Sequence, residues 1–186
     1  MIDTAKLFES DLGFAEQTII RRGQLAPMFS VHFEKDGQDG IAALIGDFAS
    51  YETKQTSVNM VKIVAVAVDA YAVSLMTEAW VAQIDKNMDK AVADLAPSDR
   101  QDRKEIVMVT MSRREGGPLF SAREIVRDAD GRVTGLAADT AGDHTGFEGR
   151  MANLMPERRP TAHEQRRAES LLRILGITME KLSREN

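Results

Sequence analysis

Residues 51–82, YETKQTSVNMVKIVAVAVDAYAVSLMTEAWVA, decide the fold. A strand rises about 3.3 Å per residue and usually runs to fewer than ten residues, so this stretch is far too long to be one strand. Its front half carries Val61, Val64 and Val68 at helical spacing. In its back half Tyr71, Val73, Leu75 and Thr77 alternate with Ser74, Met76, Glu78 and Trp80, which is the two-residue period of a strand. The pattern predicts a helix to about Asp69 and then a strand. The β-branched valines of the front half argue in the other direction, because they suit a pleated surface better than a helix. A membrane span fails here, since Lys62, Asp69 and Glu78 would all have to enter the bilayer.

The flanking segments supply the other elements. DTAKLFESDLGFAEQTIIRRG (3–23) has Phe8, Leu12, Ala15 and Ile19 on one helical face, Asp3 or Thr4 to start it, and Arg21, Arg22 and Gly23 to end it. Phe29, Val31 and Phe33 alternate with Ser30, His32 and Glu34, and the turn-rich KDGQDG follows, so a hairpin is expected. His32 points away from the two phenylalanines, toward solvent or against a helix. A short helix is expected in QIDKNMDKAVADLAPSDRQ, with Ile84, Met88, Ala91 and Leu95 on one face. EIVMVTMSRREGGPLFSAREIVRDADGRVTGL (105–136) reads as strands joined at Gly116-Gly117 and Asp130-Gly131. Thr161 and Glu164 have capping-box spacing, Ala168, Leu171, Leu172 and Leu175 form an apolar stripe, and Gly176 is a stop.

The resulting class is α+β: an antiparallel sheet of about five strands with two packed helices, in the order α-β-β-α-β-β-β, plus a C-terminal helix. The expected division is a core domain over 1–137, a loop or linker over 138–160, and a helical extension over 161–186. Over roughly residues 3–137 this order resembles the profilin-like or roadblock-type arrangement, a resemblance of element order that transfers no site. The EAW and PSDRQDRKE pattern also resembles uncharacterised bacterial or phage-encoded proteins.

Composition narrows function more than it identifies it. The chain has 186 residues, a net charge of −5 and no cysteine. An acidic balance argues against general nucleic-acid binding. The lack of cysteine removes disulfides, zinc–thiolate sites, Fe–S clusters and thiol nucleophiles. The N-terminus has neither a basic nor an apolar leader region, so a cytoplasmic location is expected. With 10 methionines and 5% aromatics, the core must rest on aliphatic and thioether side chains.

No P-loop, GxGxxG, HExxH, GxSxG or EF-hand pattern occurs. The candidate catalytic residues are Glu78, Asp99 and Asp102, because a carboxyl group beside the indole of Trp80 would be pushed toward its neutral form and could act as an acid or base. The candidate binding surface is Trp80 with Arg100 and Arg103. Asp139, Asp143 and His144 carry the donor types for a hard cation. In PSDRQDRKE (97–105) Asp99, Asp102 and Glu105 balance Arg100, Arg103 and Lys104, so mutual pairing is the simplest account of the run. Ser98 and Gln101 have capping-box spacing within it.

The leading expectation is a non-catalytic binding or assembly module, homo-oligomeric through the sheet and the C-terminal helix, with no cofactor and no membrane partner. The alternative is a small hydrolase-like or metal-assisted enzyme using Glu78. A third reading is a nucleic-acid accessory protein using Arg158, Arg159, Arg166, Arg167 and Arg173, although nucleic acid is not an expected partner of so acidic a chain. No feature of the sequence specifies a small-molecule ligand.

Overall fold

A computed structural model describes residues 3–82, 89–90, 94–137, 153–156 and 158–177. Helix α1 (Thr4–Arg22) is followed by strands β1 (Met28–Lys35) and β2 (Gln38–Ile45). Helix α2 (Tyr51–Ala67), strands β3 (Ala72–Val81), β4 (Lys104–Arg113), β5 (Leu119–Arg127) and β6 (Val133–Leu136), and helix α3 (Ala162–Ile174) complete the order. The strands form one antiparallel sheet in the order β2-β1-β3-β4-β5-β6. The class is therefore α+β as expected. The sheet has six strands where about five were expected, the last being the four-residue β6.

The stretch 51–82 divides at residues 68–71. Ser50 caps α2 through a reciprocal pair of hydrogen bonds with Thr53. The helix face Val58, Val61, Val64 and Ala65 is buried, so packing overrides the β-preference of its valines. Asp69 then takes a left-handed backbone, φ 51°, which aspartate tolerates better than most residues. Its carboxylate is held on both oxygens, by Arg114 at 2.7 Å and by Arg159 at 2.6 Å. This joint lets the chain leave the helix and enter the sheet.

β3 is central and two-sided. Val73 and Leu75 join Phe29, Val31 and Phe33 in a core under α2. Met76, on the other face, joins Val107, Val109 and Ile125 under Ala15 and Ile19 of α1. Phe8 and Leu12 pack at the margin of that second core, so the apolar face predicted for α1 is the face it buries. The C-terminal segment joins the first core: Leu154, Met155, Ala168 and Leu172 are all buried in it. Of the stripe expected on α3, only Ala168 and Leu172 turn inward, while Leu171 and Leu175 stay exposed. The inward face is thus narrower than the run of leucines suggests. The helix expected between residues 83 and 95 falls mostly outside the described residues.

The β1–β2 hairpin turns on Asp36 and Gly37, both at positive φ, as a two-residue turn between right-twisted strands requires. The second Asp-Gly pair lies inside β2 instead. There Gly40 faces Phe33 across the ladder, and the aromatic ring lies over the glycine. A Cβ at position 40 would sit 2.7 Å from the ring, so the buried Phe33 would have to shift to admit it. Gly40→Ala should therefore destabilise the protein by about 1–3 kcal/mol, the usual range for overpacking, despite the better intrinsic fit of alanine to a strand. Urea denaturation with an unchanged slope checks this.

Candidate functional site

The carboxyl pair lies where three strands end together on the α1 face. Register places Trp80 of β3 opposite Glu105 of β4, and Glu78 opposite Val107. Alternation brings Glu78, Trp80, Glu105 and Arg127 of β5 to one face. Arg127 grips Glu105 with two hydrogen bonds, Nε to Oε2 at 2.6 Å and Nη2 to Oε1 at 2.8 Å. Its Nη2 also donates to the Gly23 carbonyl at 3.1 Å, just past the end of α1. Glu78 accepts the Leu25 amide N–H through Oε1, and Glu105 is its acidic neighbour on the adjacent strand.

Charge and burial push the two acids apart. Burial raises the Glu78 pKa above the ordinary glutamate value, and the neighbouring Glu105 carboxylate adds to the rise, while the Leu25 amide and Arg127 oppose it. Glu105 is lowered, chiefly by its hydrogen bonds from Arg127. Of the two acids, Glu78 is thus the one whose neutral form the fold favours, and Glu105 the one whose charged form it favours.

The run 97–105 pairs mostly with other elements. Within it only Arg100 and Asp102 pair, at 2.9 and 2.6 Å, and that bond lowers the Asp102 pKa. The Arg100 side chain is buried. Lys104 reaches Glu124 of β5 at 2.7 Å, and Glu105 reaches Arg127. Arg103 lies over the Trp80 ring, 4.6 Å from its centroid, and donates to the Ser98 carbonyl. Residues Pro97–Asp99 form a 3-10 turn without a side-chain cap, so the Ser98–Gln101 capping box does not form. Asp99 accepts only a 3.2 Å bond from the neighbouring Ser98 hydroxyl among those described.

Of the candidate catalytic residues, Glu78 is thus joined to Glu105 rather than to Asp99 or Asp102. Of the candidate binding residues, Trp80 and Arg103 are brought together, while Arg100 turns inward to Asp102. Asp139, Asp143 and His144 lie outside the described residues. Glu105 and Arg127 were missed as partners of Glu78. Their alternation was readable in EIVMVTMS and AREIVR, but the register between strands was not.

A second buried polar pair joins α1 to the sheet. His32 Nε2 lies 2.9 Å from Asp11 Oδ2, with both side chains almost fully buried. The sequence left His32 facing either solvent or a helix, and it faces α1. Nearby, Tyr71 donates to Asp39 at 3.5 Å, and burial first, with Asp39 second, pushes its phenol up to about 12.

Open hollows among the described residues include one of about 370 Å³ beside Phe33 and Gly40 and one of about 310 Å³ beside Val66 and Met155. Neither is lined by Glu78, Glu105 or Trp80. Among the described residues no group of three or more His, Asp or Glu is placed to hold a metal ion. No described helix is long and apolar enough to cross a membrane. No family model, curated protein or solved structure matches this chain.

The Arg127–Glu105 pair is only partly shielded from water, so Arg127→Met should destabilise the protein by about 1–2 kcal/mol near neutral pH. Because Glu105 is lowered in the fold, its stabilisation is present above the ordinary glutamate pKa and is lost as pH falls through the depressed value. The difference between variant and wild type should shrink on acidification. Denaturant midpoints measured across an acid series check the sign.

Proposed function

We propose that this chain is a non-catalytic binding and assembly module that pairs with a second copy of itself along β2. The observation that carries the reading is the contrast between the two edges of the sheet. β6 is four residues long, its ladder with β5 is broken between Val126 and Arg127, and Val133 and Leu136 pack into the α1 core. Those are features that blunt an edge. β2 is eight residues long and pairs with β1 without a break. It contains no proline, lysine or arginine, and it exposes Ile41, Ala43 and Ile45 in a row, with Ile45 81% exposed.

A two-fold antiparallel pairing would set that row against the same row of the second copy and satisfy the outward backbone groups of both strands. The exposed apolar row gives the edge its preference for another strand over water. A cysteine-free chain is suited to the reducing cytoplasm, where the reading places it.

The acid–base alternative draws on Glu78, whose neutral form is favoured beside Glu105. Arg127 and the Leu25 amide, however, already occupy the groups a substrate would need. The nucleic-acid reading is weakened because Arg158 is bound to Glu164, which it lowers to about 2, and Arg159 to Asp69.

Sedimentation equilibrium of the full chain should show a concentration-dependent dimer. The double variant Ile41→Lys, Ile45→Lys should be monomeric with an unchanged circular-dichroism spectrum. A wild-type chain that stays monomeric over the same concentrations would overturn the proposal.

A further inference from the structure

The backbone of β2 alternates as its side chains do. A two-residue turn joins β1 to β2, so Lys35 and Gln38 exchange hydrogen bonds, and every second pair after them does the same. Gln38, Gly40, Ala42 and Leu44 therefore turn their N–H and C=O groups toward β1. The far end of the ladder agrees. Gly46 N–H donates to the Pro27 carbonyl at 2.7 Å, the bond that flanks a pair, Met28 and Ile45, with no hydrogen bond of its own. Asp39, Ile41, Ala43 and Ile45 are left with backbone groups that point away from the sheet. Their side chains form one row, and all four residues are exposed.

We propose that this edge takes a second copy in one register only: Ala43 lies opposite Ala43 across the two-fold axis, and Ile41 lies opposite Ile45. The register rests on the reading of β2 as a self-pairing edge and makes that reading specific.

Two restrictions select it. Only outward-facing residues can exchange hydrogen bonds across the edge, so 39, 41, 43 and 45 must meet one another. Two-fold symmetry then leaves few choices. Centring on Ala43 gives three bonded pairs, each of them apolar on both sides. A shift that sets Ile41 opposite Ala43 also sets Asp39 opposite Ile45 at both ends. It adds one bonded pair, but it takes two carboxylates out of water and lays them against isoleucine. Setting Ile41 opposite itself brings Asp39 against Ala43 and leaves Ile45 facing the Asp36–Gly37 turn. A shift in the other direction sets Ile41 opposite Asp47, whose amide is already held by Ser57 of α2 at 2.9 Å. In the register centred on Ala43, Asp39 and Asp47 lie beyond the three pairs, where both are exposed and salt screens their repulsion.

The chain has no cysteine, so single cysteines report the register without background. Opposite residues of a bonded pair lie about 5.5 Å apart at Cα, within reach of a disulfide. Residues four positions out of register lie about 14 Å apart and cannot be bridged. At a concentration where sedimentation shows the dimer, Ala43→Cys should cross-link to itself on mild oxidation. Ile41→Cys and Ile45→Cys should each fail alone and cross-link when mixed. In the wild type, hydrogen exchange at Ile41, Ala43 and Ile45 should slow as concentration rises, while Asp39 keeps its rate. A dimer in which Ile41→Cys cross-links alone, or joins Ala43→Cys in a mixture, overturns the register and leaves the pairing along β2 standing. A wild-type chain that stays monomeric, or a dimer in which none of these cysteines cross-links, overturns both.

Discussion

The fold depends on β3 being buried on both faces. Its ten residues lie between β1 and β4, and successive side chains enter different cores. Val73 and Leu75 go under α2, and Met76 goes under α1. Burying one such side chain contributes about 1.5–3 kcal/mol. A slip of one residue would send each set to the wrong helix at once. The exposed ion pairs along the sheet are worth about 1 kcal/mol or less apiece and cannot set the register against that. Apolar alternation therefore places β3, and the polar network is carried into position by it.

The same placement explains why the carboxyl pair exists. Toward its C-terminal end β3 runs out of core, and its burial gives way to half-exposed and then exposed positions from Glu78 onward. Alternation still keeps Glu78 and Trp80 on the α1 face. Antiparallel pairing then brings in Glu105, and the next strand brings Arg127. The two acids are brought together by strands held in register elsewhere. Burial raises Glu78, while the arginine bonded to Glu105 lowers that acid, so the two pKa values move in opposite directions. Gly23 and Leu25 reach Arg127 and Glu78 because α1 ends at the same edge of its core, where Gly23 reverses the helix at φ 74°.

Local patterns were legible in the sequence, and long-range ones were not. The division of 51–82, the apolar face of α1, the Asp-Gly turn and the Thr161–Glu164 cap depend on residues a few positions apart. Glu78 was visible as an acid beside tryptophan. In the run of charges that follows, Glu105 lies within β4 beside it, whereas Asp99 and Asp102 precede the strand. Choosing among them needs the strand register, which depends on the packing of both cores. His32 shows the same limit, because alternation gave its side but not the helix lying there. The leucine stripe of α3 shows a third, since periodicity names a face but not how much of it a neighbour covers.

The two sheet edges complete the physical argument. A strand edge presents unpaired backbone groups that any extended chain can use, so a monomer benefits from shortening, bending or covering it. The β6 edge has all three features: four residues, a broken ladder and contacts to the α1 core. The β2 edge has none of these three features. Gly40, the position that most weakens β2, is covered on its inner side by Phe33, which firms the strand rather than breaking it. The chain thus keeps β2 fully paired to β1, with Ile41, Ala43 and Ile45 following Asp39 in its outward row. Such an edge is consistent with a strand that is completed by another.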